Sequence, residues 1–347
     1  MINVKIPFPL CQMSTMSTPS ICVIGNLNID LIIRNVPKMP EWGQEVMGLE
    51  SDQFSSGQAG YLSMALSRLG VRTTVIGNVG DDVYGRKILA DLGTFGVHVE
   101  GVKCMNGVKT GISVALVRAD GERAFITDLG CLRIFSESMI EAHWNLVESA
   151  AIVCLVGLFC PPGISFNAAA RLLARARKAG KITMVDTGWD PKNWTNETLA
   201  GLYTVLPEVA VFMPNQDEAR AITGLDNLEG MARALQLAGV DKIVIKCGNS
   251  GSYAFCGTDS CVVPARSVKV YDAVGAGDIF NSGFLYGLLK NWSLEACLAF
   301  GNTIASLYIS RTIDRFPRLR EVAQIGRDYP VLSALDALTN IAENNHD

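Results

Sequence analysis

The chain has 347 residues, of which 49% are apolar and 18% charged, a balance that provides a sizeable core and excludes a disordered protein. Thirty basic against 34 acidic residues leave a net charge of −4, and without a basic block the electrostatic footprint of a nucleic-acid binder is missing. The longest apolar run, 150–160, is too short to span a bilayer, so no membrane partner is expected.

The cysteine and histidine content argues against metal sites and disulfides. Ten cysteines are scattered without CxxC spacing, and the three histidines form no HExxH motif, so neither a zinc or iron site nor a disulfide framework is expected. Buried free thiols of this kind are typical of a reducing compartment. Residues 1–20 lack the long apolar centre of a signal peptide, and the cytoplasm is therefore the predicted location.

Short apolar runs alternate with helix-period stretches after residues 1–20, which we expect to form a disordered N-terminal extension. Buried strands are predicted at 21–25, 73–77, 151–156, 182–186, 209–213 and 242–246. Helices are predicted in the segment that Gly70 closes and at 166–178, 277–289 and 294–310. Buried strands alternating with helices indicate an α/β fold, with a doubly wound, mostly parallel sheet flanked by helices.

Two segments, 31–54 and 109–128, depart from that pattern. Both alternate apolar and polar residues, as half-buried antiparallel strands do, and together they predict a small β-strand lid beside the main sheet. Because no linker rich in Gly, Ser or Pro interrupts the chain, residues 21–330 are expected to form one domain that includes this lid. A C-terminal helix or tail is expected at 331–347.

The most informative segment is Asp272-Ala-Val-Gly-Ala-Gly-Asp278, which precedes a helical pattern. Its two glycines allow a tight turn, so that N–H groups at a helix start can point at one spot and bind an anion. An aspartate at that spot is itself an anion and would compete for the site. Its presence is explained if Asp278 faces a hydroxyl group of a substrate and accepts the proton of that hydroxyl. The alternative is that Asp278 only caps the helix.

Other nucleotide and hydrolase motifs are absent from the sequence: a Rossmann glycine at position 280 is replaced by Phe, and neither GxxxxGK[ST] nor GxSxG occurs. DAVGAGD with its glycine-bearing helix instead resembles the signature of the ribokinase-like (phosphofructokinase-B type) carbohydrate kinase family. Further segments follow in that family's order between about 21 and 313: Gly25–Asp30, Ser56–Gly60, Ser67–Gly70, Gly80–Gly85, Thr110–Gly111, Asn215–Glu218, Lys246–Gly251 and Asn302.

The resemblance implies transfer of the γ-phosphate of ATP to a sugar or nucleoside hydroxyl. Asp278 would be the general base, a role that contributes ~10²–10⁴-fold. An anion hole at Gly275–Gly277, with the N–H groups of Ala276 and Gly277, would stabilise charge on the phosphoryl group.

Magnesium and nucleotide residues follow from the same resemblance. Asn215 and Glu218 would organise Mg²⁺ through water, although Glu218 could instead be a solvated acid in the first turn of a helix. Lys246, Gly248 and Gly251 match the family's nucleotide loop, where small residues let phosphate approach the backbone; the bare pattern could equally be a strand-to-turn transition. Asn302 falls where the family forms its adenine pocket, or it could be an ordinary surface residue.

The substrate would lie at the end of the first strand, where open α/β sheets bind ligands. Asp30 would accept hydrogen bonds from two sugar hydroxyls, with Asn28 beside it, unless it merely starts a turn. Gly57 would let the backbone close on the substrate, near Gln58 and Tyr61. The lid would exclude water, so that ATP is not hydrolysed.

Departures from the family pattern reduce the range of expected substrates. Tyr61 replaces the asparagine that usually bonds the sugar, 156–161 lacks the glutamate of ribokinases, and 186–190 lacks the arginine of the family's Asp-x-Asn-x-Arg segment. A neutral sugar or polyol is therefore expected, with a nucleoside kinase or a weakly catalytic sugar-binding regulator as alternatives. Segment 311–314 lacks the small-residue turn that helps hold a monovalent cation in the family, which counts against K⁺ as a cofactor without excluding it. The alternating lid strands leave one apolar face to cover, which predicts a homodimer through the lid.

Overall fold

The computed structural model describes residues 20–326, so the predictions for residues 1–19 and 327–347 lie outside the described residues. The strands are β1 Ser20–Gly25, β2 Asn28–Arg34, β3 Glu50–Ser56, β4 Arg72–Gly80, β5 His98–Met105, β6 Gly111–Val117, β7 Arg123–Asp128, β8 Ile152–Val156, β9 Ile182–Asp186, β10 Val211–Phe212, β11 Lys242–Lys246, β12 Ser252–Cys256 and β13 Asp259–Val263. The helices are α1 Gln58–Arg68, α2 Val83–Thr94, α3 Glu137–Glu141, α4 Trp144–Ser149, α5 Phe166–Lys178, α6 Asn196–Val205, α7 Gln216–Thr223, α8 Leu228–Leu237, α9 Ala276–Leu289, α10 Leu294–Ser310 and α11 Leu319–Gly326.

Nine strands form the main sheet, in the order β13-β12-β11-β10-β9-β8-β1-β4-β5. The strands from β11 to β5 in this order pair in parallel, and β12 and β13 add an antiparallel edge. Apolar clusters of buried side chains cover both faces of the sheet, as continuous apolar strands require. The predicted doubly wound α/β fold, flanked by helices, is confirmed.

Several predicted boundaries differ from the structure, and some elements escaped prediction. The strand predicted at 209–213 is reduced to Val211–Phe212. The edge strand β5 and the hairpin of β12 and β13 were not predicted. The burial of β5 is irregular, so its sequence carries no clear alternation. Within residues 20–326 no helix combines the length and hydropathy that crossing a bilayer requires.

A second sheet of four strands, in the order β3-β2-β6-β7, forms the lid. Each predicted lid segment supplies one antiparallel pair, β2 with β3 and β6 with β7. The antiparallel strands predicted within each segment are therefore confirmed, and the two segments meet through a parallel pair, β2 with β6. The two segments come from different parts of the chain, and both start from the edge of the main sheet where the site lies.

Asp82 links the second lid segment to α2 by hydrogen bonds. Its carboxylate caps α2 by accepting the N–H of Gly85 at 2.8 Å. The same carboxylate accepts the N–H of Thr110 at 2.8 Å and the hydroxyl of Thr110 at 2.7 Å, immediately before β6. The start of β6 is therefore held in place at the edge of the site.

The chain order explains where a ligand site forms. The chain runs outward from β1 through β4 to β5, then returns to β8 on the other side of β1 and continues through β11. Such a reversal leaves a crevice at the carboxyl ends of the parallel strands. The lid sheet lies at the same edge, because only Asn26 and Leu27 separate β1 from β2.

Candidate active site

A glycine turn begins α9 at this edge of the sheet. Gly275 is the N-cap residue with φ +81°, a left-handed conformation that favours glycine, and no side chain caps the helix. The N–H of Ala276 donates to the carbonyl of Ala273 at 3.2 Å, so its predicted role as an anion donor is revised. Within residues 20–326 no protein acceptor receives the N–H groups of Gly277 and Asp278, so these two groups remain available to an anion, as the predicted anion hole requires.

Asp278 lies in the first turn of α9 and is only 8% exposed. Burial raises the pKa of its carboxyl well above the usual value, and the nearby charge of Asp186 raises it further. The ammonium of Lys246 and a hydrogen bond from the side chain of Gln58 act in the opposite direction. A carboxyl with a raised pKa at an uncapped helix start is better suited to proton transfer than to capping.

A polar cluster beside Asp278 consists of the buried Asp186 and Asn281 and the half-buried Lys246. The ammonium of Lys246 pairs with the carboxylate of Asp186, and Asn281 donates to the same oxygen at 2.6 Å. A Cβ placed on Gly277 would lie 3.4 Å from Nζ of Lys246, which places this cation next to the anion hole. The sequence alone assigned no role to Asp186 and Asn281. The available signal was that Asp186 and Lys246, which carry opposite charges, each end a buried strand.

Asn215 and Glu218 start α7 as a reciprocal capping box. Asn215 accepts the N–H of Glu218, and Glu218 accepts the N–H of Asn215, both at 2.8 Å. Glu218 is 4% exposed, which rules out the solvated acid considered above. Burial, followed by the charge of Asp186, raises the pKa of Glu218 to about 7, against the lowering effect of Lys246.

A cavity of about 720 Å³ extends from Asp278 between α9, α10 and the loop after β11. Gly251 closes this loop with φ +101°, and a Cβ there would lie 2.1 Å from the carbonyl oxygen of Val263, so the backbone itself requires glycine. Asn302 is buried and donates to the carbonyls of Val263 and Pro264 at 3.0 and 3.3 Å. It therefore fixes the wall of the cavity and is not a surface residue.

A ladder of polar side chains follows β1 on the lid side. Asn26 donates to Asn28, and Asn28 donates to Asp30 and to Ser56, each at 3.0 Å. Among the described residues, Oδ1 of Asn26 has no partner although it is buried, and sequence reasoning missed this residue. A Cβ on Gly57 would lie 2.2 Å from the carbonyl oxygen of Asn26, so the close approach predicted for Gly57 is between two protein segments.

Tyr61 is 3% exposed and lies behind Asp30. Its hydroxyl donates to Oδ2 of Asp30 at 3.1 Å, and its ring stacks on Phe316 at 6.3 Å between centroids. A Cβ on Gly275 would lie 3.1 Å from this ring. Tyr61 therefore contacts both Asp30 on the lid strand and the glycine turn at Gly275, and its predicted contact with the sugar stays a prediction.

The pH dependence of Asp30 gives a first testable prediction. Burial raises the pKa of Asp30 to about 6, although hydrogen bonds from Ser56, Tyr61 and Asn28 lower it. If ionised Asp30 accepts substrate hydroxyls, substrate affinity falls as the pH drops below about 6. Tyr61→Phe removes one donor to the ionised form, a loss of ~1.4 kcal/mol for each pKa unit, so the midpoint of KM against pH moves upward by about one pH unit.

The matched control is Tyr84→Phe on α2, a partly buried tyrosine outside this ladder. An unchanged midpoint in Tyr61→Phe, or an equal displacement in the control, contradicts the role of this hydrogen bond.

The structure brings the predicted residues to one edge of the sheet. Four of them, Asn28, Asp30, Gly57 and Tyr61, form the lid side described above. The others line the cavity: Gln58, Asn215, Glu218, Lys246, Gly248, Gly251, Gly275, Ala276, Gly277, Asp278 and Asn302. Gln58 connects the two sides, because it begins α1 and hydrogen-bonds Asp278.

Comparison with known proteins assigns the class. Residues 18–319 match the model of the pfkB family carbohydrate kinases. An uncharacterized sugar kinase from Archaeoglobus fulgidus is 30% identical over 253 residues, which are 72% of this chain and 95% of the relative. The chain therefore belongs to the pfkB family and is a carbohydrate kinase.

Solved structures show the same fold. Arabidopsis thaliana ribokinase complexed with ribose and ATP superposes with a TM-score of 0.77 at 24% identity, covering 89% of this chain and 99% of that one. A candidate ribokinase II from E. coli in complex with ATP and Mg²⁺ gives a TM-score of 0.76 at 20% identity, covering 90% of this chain and 100% of the other. Both comparisons establish the ribokinase-like fold.

Proposed function

We propose that this carbohydrate kinase transfers the γ-phosphate of ATP to a hydroxyl of a neutral sugar or polyol. The observation that carries the proposal is the position of Asp278, buried beside Lys246 at an uncapped helix start that also lines the cavity. Family membership supplies the class of reaction, and the polar ladder through Asp30 supplies acceptors and donors for hydroxyl groups.

The proposed reaction assigns a task to each part of the site. Asp278 accepts the proton of the sugar hydroxyl while the oxygen of that hydroxyl forms a bond to the γ-phosphorus. The bond from that phosphorus to the bridging oxygen breaks, and ADP leaves with the electron pair. The N–H groups of Gly277 and Asp278, together with Lys246, stabilise the negative charge of the phosphoryl group, because positioning and electrostatics dominate this chemistry.

The residues at α7 fit a magnesium ion held through water. Glu218 lines the cavity and uses one carboxylate oxygen on the N–H of Asn215. No group of three or more metal-ligating side chains occurs within residues 20–326, and Mg²⁺ bound with nucleotide phosphates usually keeps several waters. When bound, the ion neutralises phosphate charge; Glu218 and Asn215 would orient its water ligands.

Glu218→Gln is expected to raise the Mg²⁺ concentration for half-maximal activity by about 10–100-fold, the usual effect of an outer-sphere carboxylate. The amide oxygen of Gln can still accept the N–H of Asn215, so α7 stays capped. Activity is measured against free Mg²⁺ at saturating ATP.

Asp217→Asn, an exposed acid of the same helix that pairs with Arg220, is the control. Equal Mg²⁺ curves for the wild type and Glu218→Gln contradict this assignment.

The aromatic residues favour a sugar over a nucleoside. A nucleobase needs an apolar or aromatic pocket, and the aromatic side chains that could supply one are Tyr61, Trp42 and Phe159. Tyr61 is buried behind Asp30, Trp42 is fully exposed in the lid, and Phe159 packs against Trp194 with centroids 5.4 Å apart. These side chains form no common surface on which a base could stack.

The test is ATP-to-ADP conversion with Mg²⁺ against neutral sugars, polyols, sugar phosphates, sugar acids and nucleosides. We expect a neutral sugar or polyol to stimulate turnover. A nucleoside hit supports the alternative kinase, and sugar binding without any turnover supports the regulator. Running the panel with K⁺ and with tetramethylammonium determines whether the monovalent cation left open by the sequence is required.

The lid leaves an apolar face for a second copy of the chain, and we propose a homodimer through it. Leu31, Ile33, Val114, Leu116 and Ile126 lie on the face opposite Asp30, according to strand register. Sedimentation is expected to give a dimer for the wild type and a monomer for Val114→Lys. A monomeric wild type contradicts the proposal.

We place the protein in the cytoplasm as part of this proposal. The cysteines of residues 20–326 are free thiols, and burial raises the pKa of the Cys22 thiol to about 12. Such thiols persist in a reducing compartment.

A further inference from the structure

Asp272, the first residue of the glycine-turn segment, is a buried carboxylate bound by two arginines. Its Oδ2 accepts Nη2 of Arg34 at 2.8 Å and Nη1 of Arg315 at 2.9 Å. Arg315 also donates from Nη2 to the backbone carbonyl of Asp272 at 2.8 Å. All three side chains are at most 5% exposed, and we call them the buried triad.

The buried triad joins distant parts of the chain. Arg34 ends the lid strand β2 and also pairs with Asp52 on β3. Arg315 follows α10, and its guanidinium lies 4.1 Å from the ring centroid of Tyr308. Replacing a buried ion pair by apolar side chains of similar volume often leaves the stability of a protein unchanged or raises it. A contribution to stability is therefore not enough to explain why these three charged residues are buried together.

The position of Asp272 suggests what the triad does. Its other oxygen, Oδ1, accepts the N–H of Val274 at 2.8 Å, which holds the backbone immediately before Gly275 and the anion hole. On β2, Arg34 and Asp30 are four residues apart and share one face, at a separation of ~13 Å. Strand β2 therefore carries both Asp30 and Arg34, the cation that pairs with Asp272 in the segment before the anion hole.

We propose that Arg34 is a positioning residue that couples sugar binding at Asp30 to the geometry of the anion hole through Asp272. The proposal rests on the proposed function, because it assigns the sugar to β2 and the γ-phosphate to α9. A sugar that orders β2 also orders Arg34, and Asp272 with it. Sugar binding then holds the N–H groups of Gly277 and Asp278 in position for the γ-phosphate, and by reciprocity a bound nucleotide tightens sugar binding.

The test measures sugar binding by calorimetry with and without Mg²⁺ and a non-hydrolysable ATP analogue. In the wild type, the analogue is expected to tighten sugar binding by about 5-fold or more, within the usual range of coupling between sites. In Arg34→Met, sugar binding alone stays within about threefold of the wild type, the tightening disappears, and kcat falls by about 10-fold or more because the anion hole is misplaced.

Two further variants complete the test. Arg34→Lys keeps the charge but cannot span Asp52 and Asp272 together, so it is expected to retain an intermediate coupling and to remain folded. Arg118→Met removes an exposed arginine of the lid that pairs with Asp120, and is expected to keep the coupling of the wild type.

If the wild type phosphorylates a sugar, two results overturn the proposed coupling and leave the proposed function intact. One is that the ATP analogue still tightens sugar binding fully in Arg34→Met, and the other is that the tightening is also lost in Arg118→Met. A wild type without turnover on any sugar overturns the proposed function and the coupling with it.

Discussion

Asp278→Asn is expected to lower kcat by about 10²–10⁴-fold, the contribution of a positioned general base, while sugar affinity stays close to that of the wild type. Asparagine keeps the size of the side chain and can still bond Gln58, but it cannot accept a proton. Because burial and Asp186 already disfavour the charge of Asp278, the variant is also expected to unfold at the same temperature as the wild type or higher. Steady-state kinetics, calorimetry and thermal unfolding measure the three effects.

The control is Asp259→Asn, an exposed aspartate at the start of β13. Residual activity of Asp278→Asn within fivefold of the wild type contradicts its role as the base. A folded variant that has also lost sugar binding shifts the assignment from proton transfer to substrate binding.

Lys246→Met is expected to affect both stability and catalysis. The variant leaves Asp186 buried without its cation, a loss that typically costs about 3–5 kcal/mol in the free energy of unfolding. It also removes the cation beside the anion hole, so we expect kcat/KM for ATP to fall by about 10²-fold or more. Denaturant unfolding and kinetics with varied ATP measure the two losses.

The double variant Lys246→Met/Asp186→Asn separates these effects. The neutral amide that replaces the carboxylate of Asp186 removes the uncompensated charge and can still bond Asn281, so a large part of the stability is expected to return. Phosphoryl transfer is expected to stay low, because the cation is still missing. Recovery of activity together with stability contradicts a direct role for Lys246 at the phosphate.

Regular elements with clear ends could be predicted from the sequence. The helices at 166–178 and 294–310 were predicted with the observed bounds, and Ser165 and Ser293 cap them. Both helices also have strong start signals in the sequence. The strand β5 lies at an edge with irregular burial, so its place depends on the neighbouring strand β4 and on no local pattern.

The candidate residues at the start of α9 could be identified from the sequence because one short motif contains them. The Asp186 cluster could not, since it requires two strand ends and a helix to meet within hydrogen-bonding distance. Tyr61 shows the same limit: its position in the chain predicted a contact with the sugar, but packing against Phe316 and Tyr308 determines where its ring lies. Side chains that meet across distant segments depend on tertiary packing, which spacing along the chain does not encode.

The two-residue connection between β1 and β2 has a consequence for chimeric enzymes. Because Asn26 and Leu27 alone separate the main sheet from the lid, and both are buried, no flexible linker exists at which this part of the lid could be exchanged. A graft of the lid from a related kinase would import its own version of Asn28, Asp30 and Arg34. Substrate preference and lid architecture are therefore expected to be inherited together, and a change of sugar by recombination would need the whole of β2 and its partner at Asp272.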